Sequence, residues 1–119
     1  MIAQLTGSVA ELLPGQVVLD VGGVGFLLGV SATTAAQLPE QGSSDVTLYT
    51  RLLVRESAME LYGFSSCDER AVFDRLVAVS GVGPKLALAI LSAFTPPALA
   101  AVVRLQDASR LSQVPGVGR

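Results

Sequence analysis

The apolar pattern of this 119-residue chain changes period once, at Gly63, and no other feature constrains the fold as strongly. Before that point, residues 2–7, 16–21, 26–30, 46–54 and 59–62 are short runs rich in Val, Leu, Ile, Thr and aromatics. Turn formers separate them: Pro14-Gly15, Gly22-Gly23-Val24-Gly25 and Gln41-Gly42-Ser43-Ser44. Runs of this kind, bounded by glycine and proline, read as strands. A brief helix is predicted over 32–38, capped by Ser31 and stopped by Pro39. Five short strands and one helix predict a Greek-key barrel of the OB type, with a small sandwich as the competing all-β arrangement.

After Gly63 the spacing becomes helical. Ser66 and Glu69 form a capping-box pattern. Val72, Leu76 and Val79, with Phe73 and Val77 beside them, then recur on one helical face. Ser80-Gly81-Val82-Gly83 interrupts, since paired glycines disfavour helix and permit positive φ. Pro84 suits the first position of a second helix over 84–93, apolar almost all round from Leu86 to Leu91 and therefore buried. A third helix is expected from Thr95-Pro96 to near Leu105, and a fourth from Asp107 to just before Pro115. The class is α+β: an OB-like barrel domain over 1–63 and an all-α domain over 64–119.

The interruption recurs. Leu76 to Gly83 returns 35 residues later as Leu111 to Gly118, both reading L-x-x-V-x-G-V-G, with cations following at Lys85 and Arg119. The Leu and Val of each copy are expected to anchor the incoming helix, and the central valine to bury itself as a peg. The glycines let the chain turn tightly, leaving the N–H groups of the turn and of the next helix start pointing outward without partners. A helix entry of this kind accepts an anion, and Lys85 adds a point charge. Such a site reads no bases, so binding would be sequence-independent and salt-sensitive. The plain alternative is a tight turn with no ligand. The dinucleotide fingerprint and the P-loop are both absent.

Charge decides whether an anionic partner is admissible. The net charge is −2, but residues 1–50 carry four acids and no Lys or Arg, 51–75 sum to −1, and 76–119 sum to +3. An anion would have to meet the second end. There is no histidine, which excludes an imidazole base, a Ser-His-Asp triad and a His-ligated metal. Cys67 is the only cysteine, so no internal disulfide or thiolate cluster forms; at the start of a helix without partners it reads as structural. No apolar run reaches the ~18 residues of a membrane span, and residues 1–4 lack a secretory pattern. A cytosolic, non-enzymatic protein with no metal, cofactor or membrane partner is expected. Charged residues make up only 15%, against roughly 25% in average domains, which suggests apolar surface set against a partner, most simply another copy.

The segment Gly81-Val82-Gly83-Pro84-Lys85-Leu86-Ala87-Leu88-Ala89-Ile90-Leu91 resembles the first helix-hairpin-helix of the RuvA family, the Holliday-junction-binding subunits of bacterial branch-migration complexes. Val21 to Phe26, Val54-Arg55-Glu56 and Leu61-Tyr62-Gly63-Phe64 match that family's N-terminal barrel in order and spacing, and Val114 to Gly118 matches its second hairpin. The resemblance implies a flat homotetramer that opens a four-way junction into a square during recombination and DNA repair. It assigns phosphate contacts to Gly81, Val82, Gly83, Pro84 and Lys85, and to Gly116, Val117, Gly118 and Arg119. It implies that ATP hydrolysis belongs to a separate hexameric motor, and it adds a junction-resolving nuclease as a further partner. An acidic pin falls at Glu56, where the family carries two adjacent acids and this chain has Ser57 second. Where the family continues past Arg119 with a closing helix and a motor-binding domain, this chain is expected to lack both. Its grip at Gly116 to Arg119 would then be weak.

The remaining cations divide between roles. Arg55 is either a secondary DNA contact or an ion-pair partner of Glu56 or Glu60. Arg70 and Arg75 read as a solvated mixed face with Glu69 and Asp74, whereas Arg104 and Arg110 are secondary phosphate contacts. Tyr62 and Phe64, at the boundary, read as packing residues rather than base-stacking ones. The rival functions are a general duplex binder without junction preference and a protein-assembly module.

Overall fold

The computed structural model describes residues 2–93 and residue 98. Strands β1 (Gln4–Leu13), β2 (Gln16–Val21), β3 (Val24–Gly29), β4 (Val46–Arg55) and β5 (Ala58–Phe64) close a barrel in the order β1-β2-β3-β5-β4. Helix α1 (Ala32–Gln37) bridges β3 and β4, and α2 (Cys67–Val77) and α3 (Pro84–Ser92) follow the barrel. This is the OB-like arrangement expected, and the sandwich reading falls away because β1 pairs with both β2 and β4.

β1 runs six residues further than the sequence pattern predicts. Its first half pairs with β4, from Gln4↔Tyr49 to Gly7↔Val46, and its second half pairs with β2, from Ser8↔Asp20 to Leu13↔Gln16. An irregularity between Val9 and Glu11 lets one strand bend to serve both neighbours. Gly7 therefore lies inside the strand rather than ending it. Pro14-Gly15 then turns the chain in two residues. The next turn is Gly22-Gly23 alone, with φ of 60° and 94° as a primed hairpin turn requires; Val24 and Gly25 belong to β3.

Val9, Val17, Leu19, Leu28, Val30 and Leu48 fill the barrel. Val17 and Leu19 point inward at the period-two spacing of a half-buried strand. A second apolar cluster joins the end of β5 to the helices through Tyr62, Phe64, Val72, Phe73, Leu76, Val82, Ala87, Ile90 and Leu91. Phe73 lies 4.8 Å from Phe64 and 5.4 Å from Tyr62 between ring centroids, so the aromatic residues at the boundary are packing residues. Offset aromatic contacts of this kind add about 1 kcal/mol each beyond area burial.

α1 is capped by Ser31, whose Oγ accepts from the Thr34 N–H at 3.0 Å. α2 is capped by Ser66, whose Oγ accepts from the Glu69 N–H at 3.1 Å. Only that half of the expected capping box forms, because the Glu69 carboxylate turns inward instead. Nor do Glu69 and Asp74 form a solvated mixed face. Glu69 is fully buried, and Asp74 takes a two-pronged contact from Arg51, with Nε at 2.8 Å and Nη2 at 2.5 Å. Arg70 donates to the Ala3 carbonyl at 2.6 Å and lies over the Tyr49 ring. The predicted third and fourth helices lie outside the described residues.

Candidate nucleic-acid interface

The loop between α2 and α3 is built from few local choices. The Val79 N–H donates to the Leu76 carbonyl at 3.0 Å as α2 ends. Gly81 then adopts φ +87°, where an L side chain would be strained. Val82 drops into the second apolar cluster as a peg. Gly83 is extended, with φ −88° and ψ 174°, and α3 begins at Pro84 with the Ala87 N–H donating to the Gly83 carbonyl at 2.9 Å.

Three details depart from the sequence reading. Leu76 anchors α2 in the core, but Val79 is 51% exposed and anchors nothing. Of the two glycines only Gly81 uses positive φ; Gly83 has ordinary dihedrals, and a Cβ on it would meet nothing within 4 Å among the described residues. The Val82 N–H is not free, because it donates to the Val79 carbonyl at 3.1 Å. The outward donors are therefore the N–H groups of Gly81 and Gly83, without partners among the described residues, together with those of Lys85 and Leu86 in the first turn of α3. Pro84 has no N–H to offer, and Gly83 has no side chain to cap the helix. Lys85 is exposed beside these donors at the positive end of α3.

Glu56 and Ser57 form the two-residue turn of the β4–β5 hairpin, since Arg55 pairs with Ala58 across it. Both turn residues are exposed. The cross-strand pair next down the hairpin, Val54 and Met59, is 60% and 71% exposed, so the tip stands clear of the barrel. Arg55 forms an ion pair with Glu60, whose Oε1 also accepts from the Tyr62 hydroxyl at 3.0 Å. The Tyr62 and Arg55 donors hold the Glu60 carboxyl below its usual range. Burial, and then the Glu60 carboxylate, push the Tyr62 phenol up to about 12. Glu60 thus satisfies Arg55 and adds no free charge to the tip.

The hairpin and the barrel share one face. An open groove of about 660 Å³ runs between β3, β5 and the start of α3, bordered by Phe26, Leu27, Met59, Glu60, Tyr62 and Lys85. It brings Lys85 to the same side as the Arg55–Glu60 pair. Gly116, Val117, Gly118 and Arg119, like Arg104 and Arg110, lie outside the described residues. Cys67 is exposed at the first position of α2.

Sequence reading missed one element: the buried polar cluster of Ser31, Thr34 and Glu69 between the starts of α1 and α2. Its only local trace was the pair of serine caps, each of which fits an ordinary helix start.

The family model described as RuvA N terminal domain matches residues 1–63, and the model described as SAM-like helix-hairpin-helix tandem matches residues 73–119. The whole chain is 51% identical to the "Holliday junction branch migration complex subunit RuvA" of Chromobacterium violaceum, covering 60% of that protein. It is 48% identical to the protein of the same name from Neisseria meningitidis serogroup C, covering 61% of it. A third relative of that name, from Pseudomonas savastanoi pv. phaseolicola, is 50% identical, and the chain covers 58% of it.

Proposed function

The chain belongs to the RuvA family, and from that premise we propose that it binds four-way junction DNA without regard to sequence. In this reading it is the non-catalytic DNA-recognition subunit of a branch-migration complex acting in recombination and repair. ATP hydrolysis belongs to a separate hexameric motor, and four copies of the chain surround one junction. A junction-resolving nuclease is a further partner, and the compartment is the cytoplasm. The barrel domain is 1–63, and the DNA-binding domain begins at 64.

One observation carries the proposal: Gly83 is glycine although nothing among the described residues requires it. Its dihedrals suit any residue, and a Cβ there would meet no atom of the described residues within 4 Å. The absence of a side chain is explained by the close approach of a ligand to the backbone. Four outward N–H groups and Lys85 surround that approach, so the ligand is anionic, and the donors suit a phosphodiester oxygen. Val82 contributes as the buried peg that fixes the turn, rather than as a donor. Glu56 works by repulsion. A carboxylate facing a phosphate raises the local energy, and the strand relieves it by moving aside. Arg55 spends its charge on Glu60, so Glu56 acts alone at the pin.

The test is equilibrium binding to a four-way junction and to linear duplex of equal length across a salt series. Tighter junction binding with a steep loss at high salt is expected. Equal affinity for both DNAs favours the second reading, a general duplex binder, which the hairpin supports because its donors are blind to junction shape. Binding without salt dependence rules out phosphate contact.

A further inference from the structure

We propose that Glu69 is a positioning residue for the DNA grip: its buried carboxylate holds the turn 78–83 in register with the barrel, and junction preference depends on that register. The inference rests on the junction-binding reading above.

The Glu69 side chain is fully buried, and neither ion pair among the described residues involves it. Hydroxyls and an amide satisfy it instead. Ser31 Oγ donates to Oε2 at 2.5 Å, and Thr34 Oγ1 donates to Oε1. The Ser65 N–H approaches Oε1 at 3.4 Å and donates to Thr34 Oγ1 at 3.0 Å. Ser31 and Thr34 are themselves buried at the start of α1. The carboxylate therefore sits where the N-termini of α1 and α2 converge.

α1 belongs to the barrel, between β3 and β4, whereas α2 opens the helical hairpin. Glu69 ties the two at the hairpin's first turn. A second set of bonds ties α1 to α3 at the hairpin's far end. There the Ala32 N–H donates to Ser92 Oγ at 2.8 Å, Ser92 Oγ donates to the Leu88 carbonyl at 2.8 Å, and Thr33 Oγ1 donates to the Leu91 carbonyl at 2.9 Å. Along α2, Arg51 of β4 also binds Asp74 and Arg70 donates to the Ala3 carbonyl, both at half-exposed or exposed positions, unlike the buried Glu69. The rest of the contact between hairpin and barrel is apolar, and apolar contact is non-directional. The polar bonds therefore set the register. Burying a carboxylate costs far more than burying an apolar side chain, so this arrangement does not exist for adhesion alone.

Gripping a duplex needs only the local geometry of residues 81–86. Engaging a junction also needs the Glu56 tip at a set distance from that turn. Loss of register should therefore move junction preference while leaving duplex affinity in place.

The experiment compares Glu69→Ala, Thr34→Val and Glu69→Gln in the full chain. Junction and duplex affinities are measured at one salt concentration, and thermal unfolding fixes the folded fraction of each variant. Among folded protein, the junction-over-duplex ratio should fall about tenfold in Glu69→Ala and about threefold in Thr34→Val, and stay within about twofold in Glu69→Gln, which keeps shape and an acceptor. Duplex affinity should change by no more than about twofold in all three. A folded Glu69→Ala with the wild-type ratio overturns the proposal, as does equal loss on both DNAs. If Glu69→Ala does not fold, Thr34→Val decides by the same criteria. A wild-type chain with no junction preference overturns the junction reading itself, and this inference with it.

Discussion

Two turns of this molecule, the two residues between β4 and β5 and the six between α2 and α3, are opposite in chemistry. The β4–β5 turn presents side chains, Glu56 and Ser57, held by strand pairing on both sides. The α2–α3 turn presents main chain, with a peg below and no side chain on either glycine. In the first, Glu56 has no ion-pair partner among the described residues, whereas the neighbouring Arg55 is bound to Glu60. In the second, partial positive charge comes from N–H groups and a helix end, with Lys85 beside them. One turn should repel phosphate and the other hold it. The sign difference arises from a side-chain carboxylate in one turn and from exposed main-chain N–H groups with Lys85 in the other.

The comparison breaks most severely if the support common to both turns is removed. Phe73 of α2 packs against Tyr62 and Phe64, both in the last residues of β5, the strand that leads out of the Glu56 turn. Phe73→Ala should destabilise the chain by about 3–5 kcal/mol, as read by urea unfolding. A loss below 1 kcal/mol would mean that the helices are not held through this cluster.

Next in size is Gly83→Asp, which puts a carboxylate among the donors. Junction affinity should fall at least about tenfold at low salt, with unfolding stability changed by about 0.5 kcal/mol or less. Gly83→Ala separates bulk from charge, and its smaller loss is expected to persist at high salt. Normal binding by a folded Gly83→Asp chain would put the phosphate site elsewhere.

The converse change is made at the pin. Glu56→Lys should raise duplex affinity about threefold and narrow the gap between junction and duplex. Stability should hardly move, because the residue is exposed in a turn. An unchanged gap would leave Glu56 as an ordinary turn acid.

The smallest effect lies under the pin, in the Glu60–Tyr62 contact. Of the two tyrosines, Tyr62 should ionise only near pH 12, visible as a late step in tyrosinate absorbance that Glu60→Gln shifts downward. Its folded pKa is raised, so its stabilisation is complete below about pH 10 and fades as pH climbs towards 12. Glu60 has the opposite sign. Its lowered pKa stabilises the fold above about pH 4.5, and that contribution fades as the solution is made more acid. An early step for both tyrosines would dissociate Tyr62 from Glu60.

Much of this was legible in the chain itself. The Ser31 and Ser66 caps, the glycine turn that opens at Gly22, the stop before Pro39, and the Gly81-Val82-Gly83-Pro84 hairpin are each decided within a few residues. Steric limits on φ, a missing N–H and a cap hydroxyl act at that range, so a sequence displays them directly. The family resemblance rests on the same local signatures. What the sequence could not display were the partners. Glu69 looked like half of a capping box but bonds Ser31, 38 residues away, and Arg51 finds Asp74 across 23 residues. Val79 fitted the buried spacing yet lies exposed, because α2 ends before it. Gly7 looked like a strand end yet sits inside a strand that bends to close the barrel. Each of these depended on which surface arrived opposite, and only the closed barrel with its docked helices supplied that surface.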